Sequence, residues 1–312
     1  MRISNRYLFP ILWIITNVFT PAISTPALTR RNFQYKLPDG YTVERSKGSG
    51  GGEGYSLDIY SAALIAMLNL AYEPSNNLTD PVSYPFVTIT LNITGADAKA
   101  QYYRQYALYT LYHALETMTS TNDYTFSNFT LQNKAGSVAC RVSFGDPSIE
   151  WQQLVGGFSG GLSPREIQQE RPEILESRQF PGNLSAALEK LTPLWLYDWY
   201  GPKTTEQDIF MALATLIVKT ADIPDKDTSF SYETVEDEGY HLNVTNVPLG
   251  PFSYLTGRGV LNVAGRALRE VTKRLNYGIP PISNFETTLV WTNGTDVLAQ
   301  HVLRYEGRGC EK

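Results

Sequence analysis

The sequence predicts an α+β fold made by tandem duplication of an α-β-α-β-β unit, a two-layer sandwich with helices on one face of a mainly antiparallel sheet. Three observations lead there. The first is a self-match. Asp58-Ile59-Tyr60 returns as Asp208-Ile209-Phe210, Leu91-Asn92-Ile93-Thr94 as Leu242-Asn243-Val244-Thr245, Ala114-Leu115 as Ala267-Leu268, and Ser127-Asn128-Phe129 as Ser283-Asn284-Phe285. The separations of 150, 151, 153 and 156 residues grow in chain order, as loop insertions make them grow, whereas chance matches would scatter. The second is the strict alternation of Val87, Ile89, Leu91 and Ile93 with Thr88, Thr90, Asn92 and Thr94, the pattern of a strand with one buried and one wet face. The third is an Asn-x-Thr sequon on the wet side of this strand in both copies, at Asn92 and Asn243. Glycans there would keep that face uncovered, so the helices must share the other.

Taken in order, residues 1–24 read as a secretory signal peptide. Arg2 and Arg6 give a positive start, Tyr7 to Phe19 is an apolar run too short to span a bilayer, and Ala22 and Ser24 are small residues before a cleavage point. A dibasic Arg30-Arg31 follows. Residues 25–57 read as an N-terminal arm with a Gly-rich linker at Gly48 to Gly54; no Gly-Lys-Ser/Thr follows it, so it is no phosphate loop.

Repeat 1 spans 58–145. Ile59, Ala62, Ala63, Ala66 and Leu70 fall at helical spacing, Ser56 or Asp58 can cap the start, and Pro74 stops the helix. After the alternating strand at Phe86 to Thr94, a second helix from about Lys99 to Met118 carries Ala107, Leu108, Leu111, Leu115 and Met118 on one stripe, with Tyr102, Tyr103, Tyr106, Tyr109 and Tyr112 around it. A hairpin closes the unit, turning at Asn133-Lys134-Ala135-Gly136. Residues 146–203 read as an insert, with a Gly-rich loop, two short helical stretches and a closing aromatic cluster. Repeat 2 spans 204–312. Thr205 to Asp208 offers a capping box, Tyr240, Leu242 and Val244 face inward, Val260 to Leu275 carries a long apolar stripe, and Asn293-Gly294 turns the hairpin.

Composition narrows the function. The net charge of −5 and the lack of a Lys/Arg cluster argue against a nucleic-acid partner, which needs a basic footprint. Six sequons, at Asn77, Asn92, Asn128, Asn183, Asn243 and Asn293, mark passage through the secretory route. The only two cysteines, Cys140 and Cys310, are expected to pair in an oxidising compartment, although the strand phase of Val138, Cys140 and Val142 turns the thiol inward.

Motifs for catalysis are weak. Gly157-Phe158-Ser159-Gly160-Gly161 matches a nucleophile elbow, with Asp198 or Asp222 and then His241 or His301 in the required order. Its flanks do not read as a strand running into a helix, and the single-sided strands are unlike a hydrolase sheet. The three histidines, His113, His241 and His301, lack zinc-site spacing, so no metal and no cofactor is expected. The acidic run Glu233 to Glu238 reads as a solvated loop rather than a glycosidase pair. Trp195, Tyr197, Trp199 and Tyr200 are the candidate binding residues, since large rigid rings dominate recognition surfaces when exposed. The expectation is a secreted, N-glycosylated, non-catalytic protein without a membrane span after signal removal. It would bind an extracellular ligand, carbohydrate or protein, or serve as a structural component. The alternative is a secreted serine hydrolase using Ser159.

Overall fold

The computed structural model describes residues 39–48, 52–73, 76–86, 88–146, 192–203, 205–223, 229–230, 232–236, 240–247, 255–276, 283–293 and 296–307. All of them lie in one compact unit, Phe33–Lys312. The first half runs β1 (Tyr41–Lys47), α1 (Ser56–Ala71), β2 (Leu78–Thr79), β3 (Val82–Pro85), β4 (Thr90–Thr94), β5 (Tyr102–Tyr103), α2 (Arg104–Thr121), β6 (Ser127–Asn133) and β7 (Val138–Gly145). The second runs β8 (Thr192–Lys203), α3 (Glu206–Ala221), β9 (Ser229–Phe230), β10 (Tyr232–Glu236), β11 (Tyr240–Val247), β12 (Leu255–Thr256), α4 (Gly257–Asn276), β13 (Ser283–Asn293) and β14 (Asp296–Gly307).

The two orders agree element for element, and so do the sheets. Five strands pair as β1-β6-β7-β4-β3 in one half and as β8-β13-β14-β11-β10 in the other, with a small β2-β5 sheet answered by β9-β12. Every pairing is antiparallel. The duplicated α+β sandwich is therefore present, as two separate five-stranded sheets. Helices α1 and α2 pack on the first sheet and α3 and α4 on the second, and the two helical layers pack on each other through α1 against α3 and α4 and through α2 against α3.

This layering explains the helix sequences. Helix α1 is buried on every side, from Leu57 through Ala71 with Asn69 alone half-exposed, because one face meets the first sheet and the others meet helices. Helix α3 is similar, with Ile209, Phe210 and the run Ala212 to Val218 buried. Helix α4 keeps one stripe inward, Val260, Leu261, Ala264, Leu268 and Val271, and leaves Lys273 exposed. Where the layers meet, Tyr60 stacks on Phe210 with ring centroids 4.9 Å apart and planes 14° from parallel. These are equivalent positions of the two copies, so the contact marks a pseudo-twofold axis, at which a residue meets its own counterpart. Around it Gln207 Nε2 donates to the Tyr124 hydroxyl at 2.9 Å, and the Tyr112 and Thr215 hydroxyls lie 3.3 Å apart.

Several boundaries differ from the sequence reading. Residues 41–47, placed in the arm, form edge strand β1, and residues 192–203, placed in the insert, form β8. They sit at equivalent places: Lys47 opposes Ser127, and Lys203 opposes Ser283. In β1 only Tyr41 and Val43 are apolar, alternating with exposed Thr42 and Glu44, and this pattern is too short and too charged beyond Val43 to reveal a strand. The strand expected at 86–94 is shorter, because residues 82–85 fold back and pair Pro85 with Thr90. Helix α2 begins at Arg104, since Tyr102 and Tyr103 pair with β2. The cap of α1 is corrected too. Tyr55 precedes the helix without a side-chain cap, and the Asp58 carboxylate accepts from Thr88 N at 3.1 Å and Thr88 Oγ1 at 2.7 Å, tying the helix to the approach of β4. The cap of α3 is as expected, with Thr205 Oγ1 accepting from Asp208 N at 3.1 Å. So is the first hairpin, where Gly136 takes φ +79° and Asn133 Oδ1 accepts from Ala135 N and Ser137 N, both at 3.0 Å.

Truncating the shared ring tests this interface. Tyr60→Ala is expected to cost about 3 kcal/mol in urea unfolding while keeping a single transition. A loss below about 1 kcal/mol would show that the stack does not couple the halves.

Candidate functional site

A cavity of about 320 Å³ opens at one end of the interface between the two halves. The last turn of α1 supplies Asn69 and Leu70 to its lining, Tyr72 and Glu73 follow directly after the helix, and the short strands supply Thr79, Val82, Tyr84 and Tyr102. Arg104 enters as the first residue of α2, and Arg258 comes from the first turn of α4 in the other half. Local folding sets each group. Tyr84 stands opposite Leu91 on β4, and Thr79 stands opposite Tyr102 in the β2–β5 pair. The Arg104 backbone N donates to Asn77 O at 3.1 Å, and its Nη1 donates to Asn69 O at 3.3 Å, so this side chain joins α2 to the end of α1. The Tyr72 hydroxyl donates to Asn262 Oδ1 on α4.

Burial is the main cause of the site's electrostatics. It pushes the Tyr72, Tyr84 and Tyr102 phenols above their ordinary range, with the nearby guanidinium of Arg258 opposing the shift at Tyr72 and that of Arg104 opposing it at Tyr84 and Tyr102. All three phenols stay protonated at neutral pH. The cavity is therefore bordered by hydroxyls and two guanidinium groups, with the carboxylate of exposed Glu73 among them.

Three of these residues are incompletely satisfied. Among the described residues, six buried side-chain polar atoms lack a hydrogen-bond partner, and three of the six, Thr79 Oγ1, Tyr102 OH and Arg104 Nε, belong to residues that line this one cavity, though the atoms themselves are sealed from solvent. Each such atom costs about 1–3 kcal/mol, more when charged, so a cluster of them asks for an explanation. Comparison of the two halves adds to the case. Tyr84 corresponds in register to Val235, Tyr102 to Leu255 and Thr79 to Phe230, while Arg104 and Gly257 open their respective helices. The scaffold keeps Leu91 and Leu242, or Ala114 and Ala267, but at these four positions the polar groups belong to the first half.

The residues singled out from the sequence fare differently. Ser159 and Asn183 lie outside the described residues. Trp195, Tyr197, Trp199 and Tyr200 fall on β8, opposite Leu289, Thr287, Phe285 and Asn284 of β13, and their side chains lie outside the described set. Cys140 requires a correction. It is a free thiol, 0% exposed on the inward side of β7, with Sγ 3.9 Å from Arg141 O, so the expected bridge to Cys310 is not formed. Burial pushes this thiol up to about 12. The strand phase decides the matter: Cys140 shares its face with Val142 and Phe144, beneath α2, whereas Cys310, outside the described residues, follows a strand of the other sheet.

The sequons are unequal as well. Asn77 is exposed, Asn128 and Asn243 are half-buried, and Asn293 ends β13. Asn92 is not on an open face as expected; it is 8% exposed and accepts from Ser83 Oγ. It stands in a row of opposed residues, Ser46, Asn128, Ser143, Asn92 and Ser83, that crosses all five strands. Among the histidines, His113 Nδ1 lies 3.0 Å from Glu116 Oε2 on α2, while His241 and His301 belong to the second sheet. Among the described residues no three His, Cys, Asp or Glu side chains gather as a metal site.

No protein-family model matches the chain, and no curated protein matches its sequence. Among solved structures, the tandem DUF26 ectodomains of the Arabidopsis thaliana cysteine-rich receptor-like proteins PDLP8 and PDLP5 align with 85% of this chain and 98% of their own, at 11% and 10% identity and a TM-score of 0.22 in each case. With a score that low, the fold assignment stands on the strand order and register above.

Two measurements check the site. Tyr102→Phe removes an unpartnered hydroxyl, so the ligand-free protein is expected to keep its stability or gain up to about 1 kcal/mol in urea unfolding; a loss of 2 kcal/mol would mean that the hydroxyl is satisfied. Peptide mapping after iodoacetamide treatment without reductant is expected to show Cys140 unlabelled in the native protein and labelled after denaturation.

Proposed function

We propose that the protein is a secreted, N-glycosylated, non-catalytic binding protein that holds a small polar ligand in the cavity between its two halves. One observation carries the reading: Thr79, Tyr84, Tyr102 and Arg104 of one half line a single cavity with Arg258 of the other, whereas their counterparts are Phe230, Val235, Leu255 and Gly257. A volume of about 320 Å³ falls at the lower end of the range of small-molecule sites. The phenols are protonated at neutral pH, as tyrosines ordinarily are, and offer hydrogen-bond donors.

Secretion and glycosylation rest on residues 1–24 and on the six sequons, of which exposed Asn77 offers a glycan more room than Asn92. Among the described residues no helix is long and apolar enough to cross a membrane. Native mass spectrometry of the mature protein, purified from its own culture medium, tests the reading. Wild type is expected to carry a small molecule that Val82→Trp, which fills the cavity, excludes. A wild type that retains nothing, and whose melting temperature does not move on adding concentrated medium, would sink it.

A further inference from the structure

We infer that an N-glycan on Asn77 stands at the rim of the cavity between the halves and screens its opening, so that the site admits small molecules and excludes chains. This rests on the chain being secreted and glycosylated and on the cavity being the binding site. The place of the sequon in the fold comes first. Asn77 precedes β2, Leu78 and Thr79 form that strand, and Thr79 lines the cavity. The pairs Leu78–Tyr103 and Thr79–Tyr102 are continued by one step, because Arg104 N donates to Asn77 O at 3.1 Å. Asn77 therefore stands opposite Arg104. Side chains alternate along paired strands, so Asn77 shares its side with Thr79, Tyr102 and Arg104, all three of them lining residues. Leu78 and Tyr103 take the other side, where they are 53% and 43% exposed.

Exposure and reach agree with this placement. Among the sequon asparagines whose side chains are described, Asn77 alone is exposed; Asn92 is 8% exposed, and Asn128 and Asn243 are half-buried. Exposed Glu73, another lining residue, is four residues away, so the two Cα atoms are at most about 14 Å apart. A glycan is bulky and hydrated, and from Asn77 its first sugars reach over the approach to the cavity. The Thr79 hydroxyl is sealed in the folded chain, so the sequon is read, and the sugar attached, before β2 pairs with β5. Folding then carries the glycan to the rim. A polymer must displace it to enter, whereas a small molecule passes beside it. The second half lacks this feature: at the matching positions Thr228, Ser229 and Phe230 make no sequon.

The test is the reactivity of a thiol placed at the rim. In a Cys310→Ser background, where Cys140 is buried, Glu73→Cys supplies one accessible thiol in the lining, and Lys273→Cys, exposed on α4, is the remote control. Each secreted protein is made with its sequons intact, with Asn77→Gln and with Asn128→Gln, then treated with iodoacetamide or with a polyethylene glycol maleimide. Glycopeptide mapping is expected to find Asn77 occupied. Asn77→Gln is expected to speed the polymer reagent at Glu73→Cys by roughly fivefold and to leave the iodoacetamide rate nearly unchanged. Asn128→Gln and the Lys273→Cys thiol are expected to show no such change. Circular dichroism checks folding, and endoglycosidase trimming of the folded protein to a single sugar gives the same comparison without the Asn77→Gln substitution. An unoccupied Asn77, equal polymer rates, or an equal gain at Lys273→Cys would overturn the inference. If wild type retains a molecule that Val82→Trp excludes while the polymer rates are equal, the cavity reading stands and the glycan inference falls. If the rates differ and nothing is retained, the glycan stands at the rim and the cavity reading falls.

Discussion

The contact between α1 and the helices of the other half is what the rest of the structure depends on. A helix whose faces are apolar all round has no stable position on the surface of a single two-layer sandwich, because one side would stay in water. Stacking the helical layers of two copies removes that side from solvent, and Tyr60 on Phe210 sits where equivalent residues meet. Duplication and burial are thus one solution: each copy supplies the cover that the other lacks. The sheets then flank a common helical core, and large contributors such as Phe129 and Phe144 in one half and Phe285 and Tyr305 in the other sit between sheet and helix.

A pseudo-twofold interface creates two equivalent ends, and the two have diverged. At one end Tyr72, Tyr84, Tyr102 and Arg104 line the cavity; the corresponding stretch of the second half has Asp222, Val235, Leu255 and Gly257. Positions that make the scaffold tolerate only apolar residues of similar size, which keeps the copies alike. Positions at the rim of the interface are free of that constraint, so polar groups accumulate where a cavity can use them. Incomplete hydrogen bonding there is affordable because the helical core supplies stability elsewhere.

The same layering assigns chemistry to residues that are alike on paper. Cys140 is a thiol in a chain that reads as secreted, yet its strand phase puts it on one face with Val142 and Phe144, where burial raises its pKa to about 12. Asn92 and Asn77 carry the same sequon. One lies in a central strand, hydrogen-bonded to Ser83, and the other in an exposed turn. Local sequence names the group; the neighbouring elements decide whether anything can reach it.

The sequence by itself determined the duplication, the class of fold, the four helices and the two hairpins, because these follow from spacing: a repeat offset, a helical or alternating period, an Asn-Gly turn. It also placed the cap of α3, where Thr205 and Asp208 are three residues apart. Short-range pattern could not show that residues 41–47 and 192–203 are equivalent edge strands, since an edge is defined by its partner and the apolar alternation of β1 is confined to Tyr41 and Val43. The aromatic cluster of β8 drew attention through local density, while the cavity residues are spread from Asn69 to Arg258 and none looks unusual among twenty tyrosines and many arginines. The signal that could have found them was the comparison of the two copies, in which Tyr102 answers to Leu255. Only the tertiary structure puts Arg104 and Arg258 in the lining of one cavity, because each stands at the start of a helix in a different half, far apart in the chain.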